Sequence, residues 1–104
     1  MKPNIDIKPQ EYAIVKDILI KYLPKNCKIW VFGSRAKNKT RFNSDLDLAI
    51  EYIQPLTKKQ IFDLQQAFIK SLLPYEVDII DMNNISASFK QIVQKEAILL
   101  DLKT

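Results

Sequence analysis

Residues 28–50 read KIWVFGSRAKNKTRFNSDLDLAI, and two features inside them set the architecture. The run Lys28-Ile29-Trp30-Val31-Phe32 is aromatic and β-branched, as a short buried strand requires. It stops at Gly33, the only glycine in the chain, so the strand feeds a tight turn. After a polar stretch from Arg35 to Ser44, the segment Asp45-Leu46-Asp47-Leu48-Ala49-Ile50 has a period of two. Leu46, Leu48 and Ile50 then share one face of a second strand, and Asp45 and Asp47 share the other.

Working outward, the three- and four-residue spacing of Tyr12, Val15, Ile18, Leu19, Tyr22 and Leu23 predicts a helix with Pro9 in its first turn and Pro24 at its end. On the other side, Thr57 and Gln60 form a T-x-x-Q capping box, with Leu56 placed to staple against Ile61. Ile61, Leu64, Phe68 and Leu72 continue that helix's apolar face up to Pro74. A third strand, Glu76-Val77-Asp78-Ile79-Ile80-Asp81, precedes a helix starting near Asn84 or Ser86, with Phe89, Ile92, Val93 and Ala97 facing the core. Residues 98–102 fit either a helix or an extended end. The order implies one α/β (α+β) domain over residues 1–104: a small mixed β-sheet with helices packed on one face and the acids on the opposite one.

Composition narrows the chemistry. With 104 residues, 47% hydrophobic and 27% charged, the chain has the balance of an ordinary soluble domain with one core. Its histidine count is zero, which excludes Ser-His-Asp and Cys-His nucleophile pairs, histidine bases and His-ligated zinc. A single glycine rules out the G-x-G-x-x-G fingerprint and the two-glycine P-loop. The single cysteine, Cys27, forms neither an internal disulfide nor a CxxC site and reads as a small buried residue. There is no apolar run of membrane-spanning length and no signal-peptide pattern at the start, so a cytoplasmic location is expected, with no membrane partner. A formal charge of +4 favours an anionic partner such as a nucleotide.

Carboxylates at i and i+2 of a strand point the same way with Cα atoms about 6.6 Å apart, from which both can reach a metal pair. Hard divalent ions such as Mg²⁺ take oxygen ligands of this kind, and two of them can clamp the attacking and leaving oxygens of a phosphoryl transfer. If the strand holding Asp78 is a neighbour, three carboxylates converge. Taken alone, an Asp-x-Asp pair on a half-exposed strand is a solvated face. Aspartate is a poor strand former, however, and placing two mid-strand beside a third acid has a stability cost that a bound metal accounts for. Gly33-Ser34 adds backbone N–H groups and a hydroxyl after a strand, suited to phosphate oxygens. Trp30, Phe32 and Phe42 read as core or core edge, and Tyr12, Tyr22, Tyr52 and Tyr75 as packing residues.

The stretch Gly33–Ile50, with Gly-Ser, ten residues and then Asp-x-Asp, resembles the signature of the DNA polymerase β-type nucleotidyltransferase superfamily, and Asp78 in EVDIID matches that family's later carboxylate. At this size the chain is similar to the minimal nucleotidyltransferases of prokaryotes, the MNT or MntA-type antitoxins paired with HEPN-domain toxins. The resemblance implies that Asp45 and Asp47 hold Mg²⁺, in a two-metal site, and that Asp78 completes the metal site or accepts the proton of the attacking hydroxyl. It implies that Gly33, Ser34, Arg35 and Ser44 bind the nucleotide, with Gly33 and Ser34 on the outer phosphates. The implied reaction is transfer of AMP from ATP to a hydroxyl, a tyrosine, on a cognate HEPN-domain toxin, with release of pyrophosphate and with the two proteins forming a hetero-oligomer. Lys37 and Asn38 stand where the family often has Arg and Gly; Lys keeps the charge and Asn tolerates left-handed backbone. Arg35, Lys37, Lys39 and Arg41 flank the phosphate site and read either as attraction for nucleotide or partner or as a solvated basic loop. Two other functions fit the same residues: a catalytically silent antitoxin that neutralises its partner by steric binding, and a small-molecule adenylyltransferase of the aminoglycoside type. Direct nucleic-acid binding is not expected.

Overall fold

The structure, a computed structural model, describes residues 5–36, 44–100 and 102. Strand β1 (Lys28–Phe32) is flanked by β2 (Leu46–Glu51) and β4 (Ile98–Leu100), both antiparallel to it, while β3 (Val77–Asp81) runs parallel to β2. The sheet order is β3-β2-β1-β4. A parallel β2–β3 pair needs a crossover, and α2 (Lys58–Ile69) supplies it.

Helix boundaries follow local chemistry. In α1 (Pro9–Tyr22), proline occupies the first turn, where its missing N–H is no loss, and Leu23 is already extended because Pro24 follows it. At the start of α2, Gln60 N–H donates to Thr57 Oγ1 at 3.0 Å, and Thr57 N–H donates to Gln60 Oε1 at 2.8 Å. That reciprocal box satisfies two of the N–H groups a helix start leaves unpaired. Leu56 before it is buried, and Ile61 packs against the same cluster. After β3 comes a single 3-10 turn, Met82–Asn84, and then α3 (Ala87–Glu96), capped by Ser86, whose side chain accepts from Phe89 N–H.

The period-two pattern becomes two cores. Ile29 and Val31 of β1, Leu46, Leu48 and Ile50 of β2, and Leu100 of β4 pack with Val15, Leu19, Leu64 and Phe68 of α1 and α2. Fully burying one such aliphatic side chain stabilises the fold by about 1.5–3 kcal/mol. Trp30, Phe32, Ala49 and Ile80 face the other way and gather Met82 and Val93. The mixed sheet with α1 and α2 as its helical layer is as expected. Helix α3, expected in that same layer, instead covers part of the opposite face, with Phe89 edge-on to Phe32 at a centroid distance of 6.1 Å.

Two further differences are local. Ile92 is 56% exposed, because α3 turns only Val93 fully inward, and Leu72 is 91% exposed because α2 ends at Ile69. The open reading at the C-terminal end resolves over Ile98–Leu100 to β4, an edge strand beside β1. No helix among the described residues is long and apolar enough to cross a membrane.

Candidate active site

Strand β2 carries the acids where alternation requires. Asp47 and Ala49 lie on the face opposite Leu46, Leu48 and Ile50, and Asp45 stands one residue before the strand, exposed. The parallel register sets Asp47 directly against Asp78 of β3. Neighbouring strands are only about 4.8 Å apart, so two carboxyl groups on the same face of such a pair must interact.

They do, and Asp47 shows it. Its carboxyl group is half-buried and its pKa is pushed up from 3.8 to about 6, first by burial, then by the charges of Asp78 and Asp45, and further by a hydrogen bond with Asp78. A carboxylate accepts but cannot donate, so this contact favours the protonated form of Asp47. Asp45 acts on Asp47 through its charge. Among the described residues no three Asp, Glu or Cys side chains are already drawn together as a set that could hold a metal ion. Like-charge repulsion, visible at Asp47, opposes such convergence. The donor chemistry nevertheless fits Mg²⁺: the oxygens are hard, and a divalent cation relieves the repulsion that protonation otherwise relieves.

The Gly-Ser turn folds directly over this pair. Phe32, the last residue of β1, is the register partner of Asp47, so Gly33 emerges beside the carboxylate. Gly33 has φ +76°, and a Cβ built on it would overlap Asp47 Oδ2 and lie 3.2 Å from its Cγ. Both the backbone angle and the space demand glycine here. The turn closes with Ala36 N–H donating to Gly33 O at 3.2 Å, and Ser34 sits half-buried within it.

Arg35 and Ser44 are placed differently from a simple phosphate pair. Arg35 is buried, 7% exposed as a residue; its guanidinium Nε and Nη2 donate to Ser44 O at 3.1 and 2.8 Å, and Nη1 donates to Asp6 O at 2.7 Å. It lies 3.8 Å over the ring of Tyr75, whose hydroxyl donates to Glu11 at 3.1 Å. Burial, followed by the Glu11 charge, raises the Tyr75 phenol above its ordinary pKa. Three of the guanidinium's donors are thus turned into the protein, with a physical reason: a buried cation must be hydrogen-bonded. The sequence does not mark Asp6 and Tyr75 as partners of Arg35, nor Glu11 as the partner of Tyr75, since they lie far apart in sequence and carry no local pattern. Lys37, Asn38, Lys39, Arg41 and Phe42 fall outside the described residues.

The other acid of β3, Asp81, has a separate task. It is buried and accepts from Leu56 N–H at 2.8 Å, Asn83 N–H at 2.9 Å and Asn84 Nδ2 at 3.3 Å, anchoring the loop before α2 to the far end of the strand.

Comparison with known proteins places the chain in a family. The polymerase beta nucleotidyltransferase family matches residues 15–103. A Haemophilus influenzae protein named as a probable protein adenylyltransferase, MntA, is 41% identical over 96% of this chain and 87% of its own length. A Methanocaldococcus jannaschii protein named for the same activity is 30% identical over 96% of this chain and 100% of its own length. Among solved structures, a toxin–antitoxin crystal structure with AMP-PNP superposes with a TM-score of 0.70 at 27% identity, covering 83% of this chain and 68% of that one.

Proposed function

The chain belongs to the polymerase beta nucleotidyltransferase family, and from that premise we propose that it is a Mg²⁺-dependent protein adenylyltransferase, moving AMP from ATP to a hydroxyl of a HEPN-type toxin and so acting as its antitoxin. The observation that carries the reading is the direct register pairing of Asp47 with Asp78 beneath a glycine that fits only because it lacks a Cβ. The names of its relatives supply the transferred group and the protein acceptor, and the toxin–antitoxin neighbour with its ATP analogue supplies the partner class and the nucleotide.

In this reading Asp45 and Asp47 hold the metal, and Asp78, which completes the site or takes the acceptor's proton, is the most outward of the paired acids. Asp47 is half-buried while Asp78 is exposed, which suits a ligand inside and a proton acceptor reachable by a hydroxyl from another protein. Gly33 and Ser34 offer the triphosphate's outer oxygens a turn with backbone N–H groups and a hydroxyl, and Ser44 stands at the far end of that loop. When bound, Mg²⁺ neutralises the charge developing at the α-phosphate and on departing pyrophosphate. The acceptor hydroxyl is assigned to a tyrosine of the partner.

The test is the intact mass of the co-purified partner before and after incubation with Mg²⁺ and ATP, beside an Asp45→Asn/Asp47→Asn control. A gain of one or more AMP units only with the wild-type chain supports the reading, and fragment mapping names the acceptor. A stable complex whose partner never changes mass under any nucleotide overturns it in favour of steric neutralisation.

A further inference from the structure

We propose that Arg35 is a positioning residue for the carboxylate site: its guanidinium fastens the Gly33-Ser34 turn to the entrances of both acid-bearing strands. The proposal deepens the adenylyl-transfer reading, and its kinetic arm rests on that reading.

The geometry is specific to a planar fork. Arg35 lies two residues after Gly33, which touches Asp47. Two of its donors converge on the carbonyl of Ser44, the residue immediately before Asp45, and its face covers the Tyr75 ring, three residues before Asp78. A third donor holds Asp6 O, while Asp6 N–H returns a bond to Arg35 O at 2.9 Å. Between the Ser44 and Tyr75 contacts, Leu46 N–H donates to Glu76 O at 2.9 Å, the bond that opens the β2–β3 ladder. That bond lies one residue before the Asp47–Asp78 pair in the register. One rigid group therefore spans the three segments that carry Gly33, Asp45 and Asp78. Lysine keeps the charge but has neither the fork nor the flat face, so it cannot make these contacts together.

The decisive experiment compares wild type with Arg35→Lys in the full chain. Amide hydrogen exchange at Leu46 should become roughly tenfold faster or more in the variant, while the Ala49 and Ile50 amides in mid-strand change less than about twofold, a local opening rather than a global one. Adenylyl transfer to the partner should lose at least about tenfold in kcat, with KM for ATP held within about threefold, because misplacement of the acids acts on the transition state rather than on nucleotide binding. Tyr75→Leu, which removes the ring and keeps the arginine, should accelerate Leu46 exchange in the same way, and it carries the test if Arg35→Lys does not fold. Tyr75→Phe keeps the ring and should leave Leu46 as in wild type. Unchanged Leu46 exchange overturns the proposal, as does an unchanged kcat. A raised KM for ATP with kcat intact also overturns it, making Arg35 a direct phosphate ligand. If wild type itself transfers no nucleotide, the functional reading fails and the exchange rates alone decide the positioning role.

Discussion

Gly33 and Asp47 meet with no room for a methyl group between them: the turn after β1 passes so close to the carboxylate that a Cβ would overlap its oxygen. The contact makes the Gly33-Ser34 turn and the acid strand one unit. Gly33→Ala is therefore expected to damage both stability and activity. The left-handed angle alone costs a residue with a side chain about 1–2 kcal/mol, and the collision adds to it, for a total of about 2–3 kcal/mol. Urea denaturation of the variant should show this loss, and transfer per folded molecule should fall by about 100-fold or more, since the carboxylate must move aside.

Asp47 makes stability depend on pH with a definite sign. Its folded pKa lies near 6 against an ordinary 3.8, so the folded chain holds this proton more tightly than the unfolded one. Ionisation is therefore unfavourable to folding. The penalty is absent below pH 3.8, grows as pH rises towards 6, and stays at its full value above. Metal-free Asp47→Asn should consequently gain melting temperature relative to wild type at pH 7.5 and not at pH 4. Mg²⁺ should raise the wild-type melting temperature more at pH 7.5 than at pH 5, where it competes with the proton, and should leave the variant unmoved. Thermal melts at those pH values, with and without Mg²⁺, check both statements.

What was readable in the sequence, and what was not, divides by range. The alternation in Leu46–Ile50 and the Thr57–Gln60 box are local, and both appear where the residues demand. The Asp47–Asp78 pairing was conditional, because strand adjacency depends on a crossover that spacing does not specify. Helix α3 has an apolar stripe in Phe89 and Val93, but a stripe does not say which face of a sheet it meets. Strand β4 has only three residues, too few for a period. The motif makes Arg35 a nucleotide-binding residue or part of a solvated basic loop, and only the folded chain reveals that Asp6, Ser44 and Tyr75 surround it. Its partners are 29, 9 and 40 positions away, beyond any local pattern.

The two acids of β3 should separate cleanly on mutation. Asp78 is exposed and lies at the carboxylate pair, so Asp78→Asn should leave stability at neutral pH no lower than wild type, since it removes a like charge from beside Asp47, while transfer falls by about 100-fold or more. Asp81 is buried and holds two backbone N–H groups, so Asp81→Ala leaves them unpaired at about 1–3 kcal/mol for the buried one. Its transfer rate, normalised to folded protein, should stay near wild type. Measuring denaturation and turnover on the same preparations tests the assignment, and a reversal of the two phenotypes would transfer the catalytic role to Asp81.

Helix α3 should tune the acid site from outside it. Phe89 rests edge-on against Phe32, and Phe32 is the residue directly across from Asp47 in the sheet. Burial is the largest cause of the raised Asp47 pKa, so water admitted beside Phe32 should lower it. Phe89→Ala is expected to cost about 1 kcal/mol of stability, because the ring is already partly exposed and loses mainly its aromatic contact. In the same variant the Asp47 carboxyl should titrate below 6, in the direction of 3.8, as followed by its side-chain carbon resonance. A midpoint unchanged from wild type would mean that the charges of Asp78 and Asp45, rather than the apolar cover, dominate the shift.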